Sequence, residues 1–418
     1  MMKTYLVGGA IRDKLMGKKP NDLDYVVVGS TIEDMLQLGY KQVGKDFPIF
    51  LDNDGNEYAL ARTERKNGYN HTDFIFDFNP EISLEEDVLR RDFTCNAIAL
   101  DEETGEIIDY VNGRQDIENK VLRVVRPETF VEDPLRILRA YRFAAQLDFT
   151  IEEGTKELLK QMVKDGMLEH LTPERVWKET EKALTNGYDS RKFFDGLNEI
   201  GALEILFPEL YKLTSTPERL EFHPSGNSYI HSMIALDRVR YHNSLVKFSM
   251  ICHDLGKGTT PIDILPKHIG HEERGGELID ALCDRLKTPN DYRHLAKVCC
   301  KYHMRFIRMR DMRLRKRYDY VRLISDNFTN REQLLDLLSC FYGDWYGENV
   351  SRPQKDDELF ESIKNEILMT YNIMSGVTLK DLSDKDKGRL SKLSGEKFGE
   401  IYAEAKFRYY EKKLKELN

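Results

Sequence analysis

The sequence contains no long apolar run and few cysteines, and each absence excludes a class of protein. No stretch of about 18 apolar residues occurs, the length a helix needs to cross a membrane. The N-terminal segment reaches Gly8-Gly9 and Arg12 too early to contain the apolar core of a signal peptide. The 6 cysteines include no CxxC pair, so we expect neither a zinc site nor a disulfide framework. These features predict a cytoplasmic protein with no membrane partner.

An excess of positive charge is also missing. The chain has 63 Lys and Arg against 72 Asp and Glu, a net charge of −9. A protein with this balance is not coated with basic charge, so any contact with nucleic acid is expected at a restricted face. The hydrophobic fraction of 40% is ordinary for a globular protein, and 418 residues allow two to four structural units.

The spacing of apolar residues changes at about Asp133. Before it, short β-branched runs and helix-capping signals indicate an α/β region, with capping boxes expected at Ser30–Glu33 and Ser83–Glu86. After it, apolar residues recur at threes and fours, which predicts helices, and the stretch 214–227 predicts a boundary between two helical units. The expected strands are Lys3–Val7, Leu23–Val28, Phe47–Leu51, Tyr58–Ala61, Phe74–Phe78 and Ile107–Tyr110.

Three short motifs lie close together near the N-terminus: Gly8-Gly9, Arg12-Asp13 and Asp22-Leu23-Asp24. Residues two apart on a strand share a face, so Asp22 and Asp24 should project together. Two convergent carboxylates can hold a pair of divalent ions about 4 Å apart, as nucleotidyl transfer requires. The glycines allow backbone N–H groups to approach a triphosphate, to which Arg12 can add a cation. The alternative is that both aspartates are solvated turn residues.

Two later segments add arginines to this pattern. Arg90-Arg91 open an apolar segment, and Asp133, Arg136 and Arg139 recur at intervals of three, with Arg142 continuing the row. On a helix these positions share a face. An acid and a planar guanidinium side by side can read the edge of a base. The alternative is an ordinary amphipathic surface helix.

The segments that carry these motifs resemble the class II tRNA nucleotidyltransferases of bacteria. These CCA-adding enzymes share a superfamily with bacterial poly(A) polymerases. The resemblance runs from residue 1 to about 345. It implies addition of CCA to the tRNA 3′ end from CTP and ATP, with Mg²⁺ and without a nucleic-acid template. The matching segments are YLVGGAIRDKLMG…NDLDYVVVGST, VGKDFPIFL…EYALARTERK, LEEDVLRRDFTCNAIA, EDPLRILRAYRFAA and LTPERVWKETEKAL.

The resemblance implies a role for each matching residue. The catalytic, magnesium-binding carboxylates would be Asp22 and Asp24. The nucleotide would be bound by Gly9 and Arg12 at its triphosphate, Arg91 at its ribose, Asp133 and Arg136 at its base, and Arg139 and Arg142 beside it. Glu174-Arg175 would support the base-reading segment. The sequence departs from the family at Cys95, where an aliphatic residue is expected, and in the polar stretch 65–74.

A second set of residues in the C-terminal half has the composition of a metal site. His253-Asp254 precede Leu-Gly-Lys-Gly, and adjacent His and Asp can bind one metal at a helix end, which Gly256 would supply. The alternative is structural histidines. The pattern resembles HD-type metal phosphohydrolases, which implies phosphatase and 2′,3′-cyclic phosphodiesterase activity with Ni²⁺, Co²⁺ or Mn²⁺. The candidate ligands are His231, His253, Asp254, His271, His303 and Asp344.

Together these motifs predict an α/β (α+β) nucleotidyltransferase head followed by all-α neck, body and HD domains. The expected boundaries are 1–132 for the head, 133–222 for the neck and body, 223–350 for the HD domain and 351–418 for a helical tail. The expected partners are tRNA, at its 3′ end and acceptor region, with ATP and CTP; monomer and homodimer both stay open. The basic stretch Lys301–Arg317 is either a solvated face or a phosphate-binding patch for tRNA.

Two other functions remain as alternatives at this stage. The same scaffold could serve a poly(A) polymerase or an enzyme that adds only CC or only A. A protein that kept a catalytically dead head could bind RNA without modifying it. Because Asp22, Asp24 and the arginine row are intact, the sequence favours an active enzyme.

Overall fold

The chain folds into two compact units, Met1–Pro208 and Glu209–Asn418. The computed structural model describes residues 2–20, 22–43, 48–66, 74–219, 226–345 and 355–417. Within these ranges no helix has the length and apolar character to cross a membrane. The predicted fold class, an α/β head followed by helices, is confirmed. The finer division into four domains stays a prediction.

A mixed sheet forms the centre of the N-terminal unit. Its strands are β1 (Lys3–Val7), β2 (Asp24–Val28), β3 (Lys41–Val43), β4 (Ile49–Leu51), β5 (Glu57–Leu60), β8 (Ala99–Asp101) and β9 (Glu106–Ile108), in the order β3-β4-β5-β2-β1-β8-β9. Two separate pairs are β6 (Thr63–Lys66) with β7 (Phe74–Asp77), and β10 (Val121–Leu122) with β11 (Thr150–Ile151).

The central strands are buried on both faces. Val26 packs in one apolar cluster, with Tyr5 and Val7, and Val27 packs in another, with Met35. Neighbouring residues of a strand point to opposite faces, which explains the continuous valine run of β2. Strands β1 and β2 pair antiparallel, with Val7 opposite Asp24. This register brings the residues that follow β1 next to the start of β2.

Helices surround the sheet and then continue alone to the end of the unit. Helix α6 packs against α8 and α9, and Gly196 permits the close approach because a Cβ there would lie 2.0 Å from the Tyr141 ring. The helices of this unit are α1 (Gly9–Leu15), α2 (Ile32–Gln37), α3 (Leu84–Leu89), α4 (Gly113–Glu118), α5 (Pro127–Phe130), α6 (Leu135–Leu147), α7 (Glu153–Lys164), α8 (Pro173–Asn186), α9 (Arg191–Glu199) and α10 (Ala202–Leu206), with α11 (Pro208–Tyr211) at the boundary.

The described part of the C-terminal unit is mainly helical. Helices α13, α15 and α17 pack on one another, and Tyr318, Phe407 and Tyr410 form a core between α16 and α20. All six cysteines of the chain are free and buried. The helices are α12 (Ser228–Arg238), α13 (Ser244–Cys252), α14 (His271–Leu286), α15 (Asn290–Ile307), α16 (Leu314–Ser325), α17 (Arg331–Trp345), α18 (Lys355–Gly376), α19 (Asp384–Leu390) and α20 (Gly395–Leu417).

Most predicted strands are confirmed to within two residues, but short polar strands were missed. The prediction covered β1 in full and did not include β3, β6, β8, β10 or β11. The capping box at Ser83–Glu86 is confirmed. The box predicted at Ser30–Glu33 is wrong by one residue, because Thr31 and Asp34 exchange the two capping hydrogen bonds. Parts of three predicted features lie outside the described ranges: Phe47 of a strand, residues 67–73 of the polar stretch, and residues 220–225 of the boundary.

Candidate active sites

Every residue predicted for nucleotidyl transfer lines one cavity of about 690 Å³ in the N-terminal unit. This cavity extends from the start of β2 along helix α6. The predicted residues that line it are Gly9, Arg12, Asp22, Asp24, Arg91, Asp133, Arg136, Arg139 and Arg142.

The carboxylates of Asp22 and Asp24 lie at the start of β2, of which Asp24 is the first residue. Partial exclusion of solvent raises the pKa of Asp24; Arg91 opposes this change and the negative charge of Asp22 adds to it. Within the described ranges neither carboxylate is in an ion pair. Two adjacent oxygen ligands that lack a cation of their own fit Mg²⁺, which prefers carboxylates and waters.

Glycine is needed beside these carboxylates. Gly8 has φ +72, and a Cβ there would lie 3.3 Å from Arg91 Nη1 and 3.9 Å from Asp24 Oδ2. A Cβ on Gly9 would lie 3.3 Å from Arg12 Nη2. The left-handed backbone of Gly8 disfavours any other residue. The Gly-Gly pair therefore allows the backbone to lie close to the Asp24 carboxylate and to the guanidinium groups of Arg12 and Arg91.

Two buried acids that were not predicted from the sequence orient the arginines. Buried Asp87 accepts from Arg90 at 2.7 Å and Arg91 at 3.1 Å, and buried Asp92 accepts from Nε of Arg139 at 2.8 Å. Burial raises the pKa of Asp87, but the two arginines outweigh it and the net pKa is lowered. The only sequence signal was that Asp87 and Asp92 lie within four residues of Arg90-Arg91, and this spacing does not reveal burial.

Asp133 does not lie on the helix that was predicted to carry it. Helix α6 begins at Leu135 behind Pro134, and a residue before proline is disfavoured in helical conformation. Instead, Asp133 Oδ1 accepts from the backbone N–H of Leu135 at 3.0 Å, and Arg175 Nη2 lies 3.0 Å from Asp133 Oδ2. The predicted shared helical face is therefore wrong for Asp133, although Asp133 still lines the cavity.

Arg136 and Arg142 are also held by the protein. Arg136 donates to the carbonyl oxygens of Thr129 at 2.6 Å and Arg90 at 3.3 Å. Arg142 is buried against Glu179 and donates to Gln146 at 2.9 Å. These contacts fix the side chains in place before any ligand arrives.

Glu179 should be a large contributor to the stability of the N-terminal unit. Arg142 and Glu179 are 5% and 3% exposed, so Glu179→Ala leaves a buried guanidinium without its counter-ion. We expect a loss of about 3–5 kcal/mol in the free energy of unfolding, measured by urea denaturation with tryptophan fluorescence. The matched control is Glu157→Ala, an exposed acid paired with Lys160, with an expected loss below about 0.5 kcal/mol. Equal losses of unfolding free energy in the two variants would show that the buried ion pair stabilises the fold no more than the exposed one.

The C-terminal unit brings all six predicted metal ligands together. They form two groups, His231 with His253 and Asp344, and Asp254 with His271 and His303. Within each group the ligand atoms lie within 4.8 Å of one another. Five of the six residues are almost completely buried, and Asp344 is 10% exposed at its side chain.

Backbone contacts orient the imidazoles of this cluster. Nδ1 of His253, His271 and His303 lies 2.8 Å from the carbonyl oxygens of Met250, His268 and Cys300. A carbonyl oxygen only accepts, so each of these Nδ1 atoms carries a proton, and each Nε2 faces a second histidine of the cluster.

The nitrogen spacing fits transition-metal ions. Nε2 of His231 lies 3.2 Å from Nε2 of His253, and Nε2 of His271 lies 3.3 Å from Nε2 of His303. Two nitrogens bound to one ion at about 2.1 Å are roughly 3.0–3.4 Å apart, so each pair is spaced to share an ion. Burial lowers the pKa of His253, but Asp254 and Asp344 outweigh it and raise that pKa to about 10, so the cluster attracts positive charge.

Gly256 has a different role from the one predicted. Helix α13 ends at Cys252, and Gly256 lies in the following 3₁₀ turn, Leu255–Thr259. A Cβ there would lie 1.9 Å from the carbonyl oxygen of His271. The helix-end role is therefore wrong: Gly256 is needed so that this turn can touch the start of α14. The sequence analysis also missed Lys257, whose Nζ lies 2.7 Å from both Asp254 Oδ2 and Glu218 Oε1.

The two ends of the basic stretch Lys301–Arg317 have different surroundings. Arg315 lies 2.8 Å from Glu404, and Arg317 lies 2.9 Å from Glu366, so its end is bound to the tail helices. Lys301, Arg305 and Arg308 are exposed on or just beyond the end of α15. Arg313 and Lys316 are exposed too, so both parts keep basic groups that could form a solvated or phosphate-binding face.

Comparison with known proteins identifies the family. Residues 4–123 match the Poly A polymerase head domain, and residues 148–213 match the Probable RNA and SrmB- binding site of polymerase A. The Multifunctional CCA protein of Mannheimia succiniciproducens is 50% identical over 313 residues, 72% of this chain and 74% of its own length. That of Xanthomonas campestris is 44% identical over 364 residues, 84% and 88% of the two chains.

Solved structures share the fold. The Bacillus stearothermophilus CCA-adding enzyme in complex with CTP has a TM-score of 0.64 at 23% identity, over 96% of this chain and 87% of that one. The Thermotoga maritima CCA-adding enzyme complexed with tRNA has a TM-score of 0.62 at 22% identity, over 100% and 92%. Together with the high identity of the Multifunctional CCA proteins, these findings show that the chain belongs to the class II CCA-adding enzymes, the tRNA nucleotidyltransferases with a poly(A) polymerase head domain.

Proposed function

We propose that the cavity of the N-terminal unit adds CCA to the 3′ end of tRNA from CTP and ATP, without a nucleic-acid template. The observation that carries this proposal is the placement of two carboxylates without ion pairs in the described structure beside preoriented arginines in one cavity. A poly(A) polymerase, or an enzyme that adds only CC or only A, could use the same chemistry. Neighbours solved with CTP and with tRNA support the substrates proposed.

In the proposed mechanism, Asp22 and Asp24 hold Mg²⁺ at the start of β2. Bound there, Mg²⁺ would activate the tRNA 3′-hydroxyl and stabilise charge on the triphosphate. Arg12 binds the triphosphate and Arg91 holds the ribose, both kept in position by neighbouring acids and Asn96. The alignment of the hydroxyl with the α-phosphate lowers the barrier because the reactants no longer lose orientational freedom.

Base selection is assigned to Asp133 and Arg136. Arg175 and the Leu135 N–H orient Asp133, while Thr129 and Arg90 orient Arg136, so their remaining donors and acceptors are fixed toward the cavity. Cytosine and adenine share an exocyclic amino donor, whereas uracil and guanine present a carbonyl at the same edge. A fixed acceptor therefore favours CTP and ATP over UTP and GTP.

Asp133→Ala should loosen nucleotide choice more than it slows chemistry, since it removes an acceptor and no metal ligand. We expect a loss of about 1–3 kcal/mol in discrimination, roughly 5- to 150-fold in the ratio of kcat/KM for CTP and ATP against UTP and GTP. The control is Arg175→Ala, which keeps Asp133 but removes its partner and should have a smaller effect. If all four kcat/KM values fall by the same factor in Asp133→Ala, Asp133 is structural and does not select bases.

We further propose that the C-terminal unit hydrolyses phosphate esters, as a phosphatase and a 2′,3′-cyclic phosphodiesterase. The convergence of four imidazoles and two carboxylates supports this proposal. Such a nitrogen-rich set suits Ni²⁺, Co²⁺ or Mn²⁺ better than Mg²⁺. When bound, a metal of this kind would polarise the phosphoryl group and activate water. Lys257 and Glu218 keep the Asp254 carboxylate in place.

A further inference from the structure

We propose that Lys182 and Gln146, two residues for which the sequence predicts no role, bind the terminal phosphates of the incoming nucleotide and then the departing pyrophosphate. This inference deepens the proposed transferase function and rests on it. Both side chains line the transferase cavity beyond the arginine row, Gln146 near the end of α6 and Lys182 on α8. The part of the cavity lined by Arg142, Gln146, Lys182 and Asn186 is called the distal end.

The cavity follows one face of α6 as far as the distal end. Its lining residues on this helix recur at intervals of three and four: Arg136, Arg139, Arg142 and Gln146. The first and the last of them lie about 15 Å apart along the helix axis. An extended nucleoside triphosphate has a similar length. With its base at Arg136, as proposed above, its terminal phosphates reach the distal end.

The guanidinium groups around Phe143 support the same orientation of the nucleotide. Their Cζ atoms lie close to the centre of the Phe143 ring, Arg12 at 5.5 Å, Arg139 at 5.3 Å and Arg142 at 3.8 Å. Arg12 is the cation assigned to the triphosphate, so the phosphate chain passes this ring. Beyond the ring, Arg142 contacts Gln146, and the chain of phosphates therefore continues into the distal end.

The distal end has more positive than negative charge. Arg142 and Lys182 share one buried carboxylate, because Arg142 Nε contacts Glu179 Oε2 and Lys182 Nζ lies 3.9 Å from Glu179 Oε1. Partial burial lowers the pKa of Lys182; Glu179 opposes this change and the charge of Arg142 adds to it. Two cations with one carboxylate leave an excess positive charge, which a phosphate can neutralise.

Gln146 presents donors to the cavity. Arg142 Nη1 donates to Gln146 Oε1 at 2.9 Å. A guanidinium group only donates, so the amide oxygen is the atom that faces it, and the N–H groups of the Gln146 amide remain for another acceptor. Asn186 lines the same end, one turn after Lys182 on α8. Ionised phosphate oxygens only accept, so this set of donors fits phosphate.

Lys182 is also suited to the release of pyrophosphate. Its side chain is 42% exposed, whereas the side chains of Arg12 and Arg142 are each 6% exposed. The two arginines are held by close partners, but the ammonium group of Lys182 has a flexible stem and a partner at 3.9 Å. It can therefore turn toward the pyrophosphate and follow it as it leaves.

Calorimetric titrations with CTP, CMP and inorganic pyrophosphate test the proposal. The parent is the full-length Asp254→Asn variant in Mg²⁺, so that the histidine cluster does not hydrolyse the probes. Lys182→Met should bind CTP and pyrophosphate about tenfold more weakly, because one charge-assisted hydrogen bond is lost. Gln146→Glu, which keeps an acceptor for Arg142 but repels phosphate, should weaken the same two affinities. Binding of CMP, which lacks the terminal phosphates, should change by less than about twofold in both variants.

The matched control is Lys178→Met, which removes the same charge one turn away on α8, at an exposed position that does not line the cavity. It should leave all three affinities unchanged, and Lys182→Arg should retain most of the affinity for pyrophosphate. The melting temperature of each variant checks its folding.

Unchanged affinities for CTP and pyrophosphate in Lys182→Met would overturn the proposal. Weaker binding of tRNA together with unchanged binding of pyrophosphate would also overturn it and assign Lys182 to the RNA backbone. Because the titrations contain no tRNA, they do not depend on catalysis. A protein that shows the predicted affinities but adds no CCA would reject the proposed function and leave the phosphate site standing.

Discussion

Asp22→Ala or Asp24→Ala is expected to lower the rate of nucleotide addition by about a thousandfold or more. The change removes a ligand of the proposed Mg²⁺, and metal stabilisation of transition-state charge amounts to several kcal/mol. The measurement is single-turnover incorporation of CTP into tRNA that lacks its 3′ end, with Mg²⁺ in excess. Affinity for tRNA should change little, since binding of nucleic acid depends on basic groups that are left in place.

Two controls separate loss of the metal from loss of structure. Asp54→Ala removes an exposed aspartate of the turn between β4 and β5 and should leave the rate unchanged. The melting temperature of Asp22→Ala and Asp24→Ala should stay near that of the wild type, because both carboxylates are exposed. More than a tenth of the wild-type rate in either variant would show that these carboxylates do not bind the catalytic metal.

Asp254→Ala is expected to abolish phosphohydrolase activity and to spare nucleotide addition. Asp254 contacts all four histidines of the cluster, so its loss should reduce metal affinity sharply. The two activities should separate because the residues assigned to them lie in different compact units. The assays are hydrolysis of 2′,3′-cyclic AMP with Ni²⁺, Co²⁺ or Mn²⁺, and incorporation of CTP with Mg²⁺.

Two further variants distinguish loss of the metal ligand from misfolding. Asp254→Asn preserves shape while weakening the ligand, and Asp263→Ala changes an exposed aspartate nearby in sequence and should leave both activities intact. No hydrolysis by the wild type with any of the three metals would contradict the proposed phosphohydrolase activity. Loss of both activities in Asp254→Asn would show that the two sites depend on each other.

The sequence allowed prediction of the residues of the transferase cavity, because local motifs carry them. Gly8-Gly9 and Asp22-Leu23-Asp24 flank adjacent strands, so one register, Val7 opposite Asp24, is enough to join them. The β-branched run Leu23–Val28 predicted a strand, which the structure confirms as β2. Short strands such as β3, which is exposed and polar, have no periodic apolar signal and were missed.

The supporting interactions could not be predicted, because they join distant parts of the chain. Arg142 pairs with Glu179, and Arg139 pairs with Asp92, across separate elements of the chain. The division of the six candidate metal ligands into two groups was equally hidden. The six ligands are distributed from His231 to Asp344, and only the fold decides toward which histidines each oxygen of Asp254 points. Side-chain rotamers and buried ion pairs are tertiary properties, and no spacing rule encodes them.

The central claim is that this enzyme builds CCA and then stops, and sequencing the product ends tests it most directly. A tRNA that lacks its 3′ CCA is incubated with CTP alone, with ATP alone and with both, and the new 3′ ends are read. We predict that CTP alone adds two cytidines, that ATP alone adds nothing, and that both together give CCA without further extension. A long adenosine tail from ATP alone, or unchanged ends in all three reactions, would contradict the account.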